Sequence, residues 1–116
     1  MMKAITLGLV LCAAAIPVLA QAPAGDTANG AKLFKRYCAG CHGADGRGGA
    51  QTFMPHIENL TKKGYIDLVP DDYLFGVISE GGVSVGKSSY MPAWGKTLSE
   101  QDIRDIIAHI RSLPIY

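Results

Sequence analysis

The sequence predicts an all-α domain in which three helices are joined by two long glycine-rich loops. Apolar side chains recur at spacings of three and four residues in three segments, which is the period of a helix that buries one face. No segment alternates polar and apolar residues as a half-buried strand does, and no internal repeat occurs. The chain of 116 residues allows one small domain.

The front of the chain predicts a secretory signal peptide over residues 1–20. Lys3 precedes a largely apolar run over residues 4–16, and small residues before Ala20 suit cleavage after that position. An uncleaved membrane anchor is less favoured, because the run of 13 residues is shorter than the ~20 that a spanning helix needs. A lipid-modified Cys12 is less favoured still, because Leu11 precedes it where a small residue is preferred.

Cleavage after Ala20 predicts an exported, periplasmic protein with a flexible segment over residues 21–25 and one domain over residues 26–116. We expect no stable membrane insertion after cleavage. The charges are balanced, with 11 Lys and Arg against 10 Asp and Glu, which argues against nucleic acid or an anionic membrane as a partner. Only Cys38 and Cys41 remain beyond the signal, so a scaffold of several disulfides is excluded.

The first helix is predicted from a cap at Asp26 or Thr27 to about Tyr37, with Phe34 on its apolar face. Residues 40–49 follow with five glycines in ten positions, which predicts a turn-rich loop. The sequence also allows a short helix over residues 59–63.

The second helix is predicted to begin after Pro70 and to end at Gly81, and residues 83–95 form a second loop. The third begins at Ser99, where Asp102 completes a capping-box pattern, and Pro114 ends it. Loops this long in a domain this small need something to pack on. A large buried non-protein group would supply the missing core.

The segment Cys38-Ala39-Gly40-Cys41-His42 is a C-x-x-C-H motif, the attachment signature of c-type haem. Two thiols one helical turn apart can form thioethers to the two vinyl groups of one porphyrin, and the adjacent imidazole can reach the iron. A thioredoxin-like dithiol is the first alternative, but it would require a preceding strand and a βαβ pattern, and the sequence shows neither. Half a zinc site is the second, but no further cysteine remains to complete it.

The sixth iron ligand has few candidates in the mature chain: Met54, Met91, His56 and His109, with lysines as outsiders. Met91 lies 49 residues after His42, which lets the chain wrap a haem and return on its other face. Pro92 biases Met91 towards an extended backbone, so its thioether can project from the loop. We therefore favour His42 and Met91 as the two iron ligands over a Met91 that only fills the core.

Together CAGCH near the end of the first helix, MPAWG in the second loop and AHIRSLP in the last helix resemble the class I, monohaem, Met/His-ligated cytochromes c across residues 26–114. The resemblance implies a fold in which the first and last helices cross, with Gly30 and Phe34 at their contact. It also implies that the carbonyl of Pro55 receives the ring N–H of His42. Trp94 matches a loop aromatic packed near the haem, although a plain core tryptophan describes it equally well.

Two histidines depart from this family pattern. His109 stands where the family usually has Tyr or Trp, and its place at the edge of the apolar stripe predicts a residue that packs between helices. His56 stands in Pro55-His56-Ile57, where the family usually has P-x-L. A loop histidine is the favoured interpretation there, and a His/His pair with a lower reduction potential is the alternative.

These features predict a periplasmic one-electron carrier rather than an enzyme, because two protein ligands leave the iron no site for substrate. We expect a monomer that docks with redox partners at the haem edge through a small interface. Lysines that could ring that edge, although a solvated surface explains each equally, are Lys62, Lys63, Lys87 and Lys96. The alternatives are a dedicated cytochrome subunit of a larger oxidoreductase, and a haem protein whose labile sixth ligand gives way to a gas or peroxide.

Overall fold

The computed structural model of the protein describes residue 8 and residues 11–17, 24–49 and 57–116. In these parts the chain forms four α-helices and one 3₁₀ turn, and no strand. The helices are α1 (Thr27–Tyr37), α2 (Ala39–His42), α3 (Asp71–Glu80) and α4 (Glu100–Ser112), and the 3₁₀ turn is Gly82–Val85. The predicted all-α class is confirmed, and the three longer helices lie where the sequence placed them.

The short helix that the sequence allowed over residues 59–63 does not form. The side-chain oxygen of Asn59 accepts hydrogen bonds from both the backbone N–H and the hydroxyl of Thr61, at 2.9 and 2.7 Å. Such a local side-chain bond offers the backbone an alternative to helix, and residues 60–61 and 63–68 form turns instead. The one-turn helix α2 and the 3₁₀ turn are additions that the periodicity did not predict.

The ends of α1 and α4 are set by local chemistry. Asp26, and not Thr27, caps α1, because its carboxylate accepts the backbone N–H groups of Ala28 and Asn29. Ser99 and Asp102 form the predicted capping box at the start of α4, with both reciprocal bonds present. Each cap satisfies backbone donors that the first turn of a helix leaves unpaired.

Helices α1 and α4 cross at Gly30. A Cβ atom at Gly30 would lie 1.8 Å from the backbone oxygen of Asp105, so only a glycine lets the two backbones come this close. One turn further along α1, the buried Phe34 ring packs at 5.0 Å from the ring of His109. The predicted crossing and the interhelix position of His109 are both found.

The crossing is fastened by Asp105, a carboxylate only 4% exposed. It accepts hydrogen bonds from the backbone N–H of Asp26 at 2.7 Å and from the side-chain amides of Asn29 and Gln101, each at 2.8 Å. Burial alone would raise the pKa of this carboxyl, but the three donors hold the pKa below its usual range. Asp105 therefore ties the start of α1 to α4 as an ionised group.

Arg111, near the end of α4, holds the turns that precede α3. Its guanidinium donates to the carbonyl oxygens of Ile66 and Val69 and to the carboxylate of Asp71. The same turns contribute buried apolar side chains to one core shared with the helices. Its members are Phe34, Cys38, Leu60, Ile66, Leu74, Ile78, Leu98, Ile103, Ile106, Ile107 and Ile110.

The predicted signal peptide over residues 1–20 and the segment 21–25 lie largely outside the described residues, so the domain boundaries remain predictions. Among the described residues, no helix has the length and apolar character needed to cross a membrane.

Replacing Gly30 by Ala should strongly destabilise the fold, because the added methyl meets backbone that cannot move aside. We expect a loss of about 3 kcal/mol in the free energy of unfolding. Gly76→Ala is the matched control, since a Cβ there meets nothing within 4 Å. That helical substitution should raise the free energy of unfolding by about 0.5 to 1 kcal/mol. Chemical denaturation of both haem-loaded variants measures the difference, and equal free energies of unfolding would contradict the expectation.

Asp105→Asn should lower the free energy of unfolding by about 1 to 3 kcal/mol at pH 7, because buried donors lose a charged acceptor. The folded pKa lies below the unfolded one, so the carboxylate stabilises the fold above the unfolded pKa of about 3.9. This stabilisation is lost as the pH falls through the folded pKa. Urea unfolding of the haem-loaded protein from pH 7 to pH 3 should show the difference from wild type shrinking, whereas a constant difference would contradict it.

Candidate functional site

The end of α1 and the single turn of α2 position the C-x-x-C-H motif. Cys38 ends α1, and its carbonyl oxygen accepts the N–H groups of Cys41 at 3.2 Å and of His42 at 2.9 Å. Residues three and four apart on a helical turn share one face, so Cys38, Cys41 and His42 point to the same side. Gly43, at a φ of 81°, then turns the chain away.

That shared side faces a cavity of about 620 Å³, a volume typical of sites for small molecules and cofactors. The cavity lies against α1, α2, α3, α4 and both long loops, and most of its lining is apolar. Its walls include Phe34, Tyr37, Cys38, Cys41, His42, Leu60, Val77, Ile78, Met91, Pro92, Trp94, Ile106 and Ile110. Five of the six predicted site residues thus line one space: Cys38, Cys41, His42, Met91 and Trp94.

His42 is held in the form that a metal requires. Its Nδ1 lies 3.2 Å from the backbone oxygen of Glu58, so that nitrogen carries the proton and donates it, and Nε2 keeps its lone pair. Burial lowers the pKa of His42, partly offset by the Glu58 carbonyl and carboxylate, so the ring is neutral at neutral pH. A neutral imidazole with a fixed tautomer is ready to bind iron through Nε2.

The carbonyl that holds His42 belongs to Glu58 and was not predicted. Pro55, the acceptor that the resemblance implied, lies outside the described residues, as do Met54 and His56. The sequence did contain a signal for Glu58, because Glu58-Asn59-Leu60 has the spacing of P-x-L and ends in a buried leucine. Pro55-His56-Ile57, by contrast, has the proline of the family pattern but not its leucine.

The loop that carries Met91 is fixed to the end of α3 by backbone hydrogen bonds. Gly82 donates its N–H to the carbonyl of Met91 at 3.0 Å, and Trp94 donates to Ile78 at 2.8 Å. A Cβ atom at Gly82 would lie 2.2 Å from the carbonyl oxygen of Ser88, so the loop closes tightly over a glycine. Met91 therefore reaches the cavity on a braced segment.

Trp94 packs against the core and also lines the cavity, so both roles that the sequence allows are found. Its ring packs against Tyr37 with the centroids 5.1 Å apart, and it lines the cavity beside Met91. His109, by contrast, is not among the cavity-lining residues.

The thiols are unlike those of a redox dithiol. Cys38 and Cys41 are both free, and burial, with a smaller contribution from Cys41, raises the pKa of Cys38 to about 12. Reactive cysteines of the thioredoxin type need a lowered pKa, because the thiolate is the nucleophile. The buried, neutral Cys38 thus disfavours the dithiol alternative.

Three comparisons bear on the cofactor. Residues 25–110 match the family described as cytochrome C oxidase, cbb3-type, subunit III. A cytochrome c6 of Thermosynechococcus vestitus is 34% identical over 108 residues, covering 86% of this chain and 85% of that protein. The cbb3-type cytochrome c oxidase subunit FixP of Bradyrhizobium diazoefficiens is 33% identical over 88 residues, covering 76% of this chain but only 28% of FixP.

These matches confirm the predicted cofactor, one covalently bound haem c. The structure fits it, because a largely apolar cavity of about 620 Å³ meets the two free thiols and one neutral imidazole of the motif.

A Cys38→Ala/Cys41→Ala variant should fold poorly, because the apolar walls would then surround no covalently held group. We expect weak helical circular dichroism and no cooperative thermal transition. Cys12→Ala is the control, since Cys12 lies in the predicted signal peptide and should leave the secreted protein unchanged. A cooperative transition of the double variant near the wild-type temperature would contradict the expectation.

Proposed function

Because the chain belongs to the class I c-type cytochromes, we propose that it is a periplasmic one-electron carrier whose iron is ligated by His42 and Met91. The observation that carries the proposal is that both side chains line one cavity, each braced by its own loop. The haem supplies the Fe(III)/Fe(II) couple.

The residues of the chain account for a carrier in three ways. Glu58 holds His42 in the neutral tautomer that offers Nε2 to the iron. Met91 offers a neutral, soft thioether, which raises the reduction potential relative to a second imidazole. His42 and Met91 would together hold the iron, the apolar walls would exclude substrate from it, and a bound haem would supply one-electron transfer without bond chemistry.

The relatives favour two settings for this electron transfer. The cytochrome c6, aligned over 85% of its length, supports a free carrier that moves between redox partners. The family description and FixP support the second candidate, a dedicated cytochrome subunit of an oxidase or another oxidoreductase. Purification of the native protein without detergent as a monomer would favour the carrier, and stoichiometric co-purification with an oxidoreductase would favour the subunit.

The periplasmic location rests on the signal-peptide pattern of residues 1–20 and on the attachment of haem c. Partner proteins would dock through a small interface, as redox encounters commonly do.

Met91→Ala should abolish the sulfur-to-iron charge-transfer band in the red spectrum of the ferric protein. Without the thioether the iron would lack one protein ligand, so the ferrous variant should bind carbon monoxide stoichiometrically at neutral pH, whereas the wild type should bind none. Met54→Ala and His56→Ala are the controls, because they remove the competing ligand candidates and should leave both properties unchanged. Loss of the band in Met54→Ala, or rapid carbon monoxide binding by the wild type, would contradict the assignment.

A further inference from the structure

We propose that Glu58 is a positioning residue for both iron ligands at once: its carbonyl orients His42, and its carboxylate holds the Met91 loop through Lys87. The proposal rests on the proposed ligation by His42 and Met91 and deepens it.

The first connection runs through the backbone of Glu58. Its carbonyl oxygen accepts the Nδ1 proton of His42 at 3.2 Å. Two residues later, Leu60 is buried and donates its N–H to the carbonyl of Gly46 at 2.7 Å. Because the segment is anchored on its apolar side, the carbonyl of Glu58 stays aimed at the imidazole.

The second connection runs through the side chain of Glu58. Its Oε2 lies 3.5 Å from Nζ of Lys87, a residue that stands four positions before Met91. Lys87 donates its backbone N–H to Gly82 at 2.8 Å, and Gly82 in turn donates to Met91 at 3.0 Å. The ion pair thus joins the loop that orients His42 to the loop that carries Met91.

The negative charge near Nζ of Lys87 comes from the Glu58 carboxylate, because the neighbouring Tyr65 is neutral. Nζ of Lys87 also lies 5.8 Å from the centre of the Tyr65 ring, which is a weak cation–π contact. Burial, the nearby Glu58 carboxylate and Tyr73 raise the pKa of Tyr65 to about 12, so its phenol is neutral. Glu58, Tyr65, Tyr73 and Lys87 all line the cavity and form its polar corner.

The strength of the connection follows from its exposure. The side chains of Glu58 and Lys87 are 35% and 48% exposed, so salt screens their attraction. An ion pair of this kind changes an equilibrium by no more than about fivefold. The pair therefore favours the observed position of the Met91 loop and does not lock the loop there.

Imidazole binding to the ferric haem-loaded protein tests the proposal, because imidazole enters only when Met91 leaves the iron. Glu58→Gln and Lys87→Gln should each raise the apparent imidazole affinity about two- to fivefold at low salt. The double variant should match either single one, and the exchanged pair Glu58→Lys/Lys87→Glu should return towards wild type. Added salt should raise the affinity of the wild type and leave the variants nearly unchanged.

Glu100→Gln is the matched control, because it removes a different surface ion pair, the one that Glu100 forms with Arg104 at 3.0 Å on α4. It should leave imidazole affinity as in the wild type. Additive effects of the two cavity variants, or an equal effect of Glu100→Gln, would overturn the proposal.

A spectroscopic readout separates positioning from plain loop stability. Lys87→Gln replaces neither ligand, yet it should shift the hyperfine-displaced proton NMR signals of both the Met91 methyl and the His42 ring. Shifts at only one ligand would overturn the shared role. A wild-type ferric protein without the sulfur-to-iron band would instead refute the proposed ligation itself, whereas a normal band with unaltered imidazole binding in the variants would refute only the role of Glu58.

Discussion

The close crossing of α1 and α4 at Gly30 is the contact on which the site depends. Only hydrogen fits where a Cβ would lie 1.8 Å from the Asp105 oxygen, and the Asp105 carboxylate fastens the same junction. The crossing fixes the direction of α1, and the end of α1 carries Cys38, from which α2 continues for one turn to His42. A backbone approach of two helices thus aims the attachment motif at the cavity.

The helices and loops together form the walls of a cavity that fits the haem. Its long irregular segments carry Glu58, Tyr65, Lys87, Met91 and Trp94, and they are fastened by backbone bonds to α3 and by Arg111 from α4. The core that these loops share with the helices ends at a largely apolar space. A covalently bound haem would fill that space and bury its apolar walls, which explains how a small domain supports so much irregular chain.

The sequence predicted the features that show as periodicity or as a distinctive motif. It did not predict those that depend on contacts formed only in the folded chain. Helical periodicity and capping residues located α1, α3 and α4, and the spacing of Cys38, Cys41 and His42 identified haem c. The turns around Asn59 were not predicted, because two hydrogen bonds to the Asn59 side chain outcompete a weak helical preference. Glu58 was not predicted, because its carbonyl meets His42 only after the loop folds. The family resemblance implied Pro55 as the acceptor, and Pro55 lies outside the described residues.

The most direct measurement of the central claim is a potentiometric titration of the purified haem-loaded protein, followed by its optical spectrum. We expect one haem per chain and a single reversible wave that fits a one-electron Nernst curve, with a low-spin spectrum in both oxidation states. The reduction potential should lie above that of the Met91→His variant, because a thioether favours the reduced iron. A high-spin ferrous state, or the absence of a reversible one-electron wave, would contradict it.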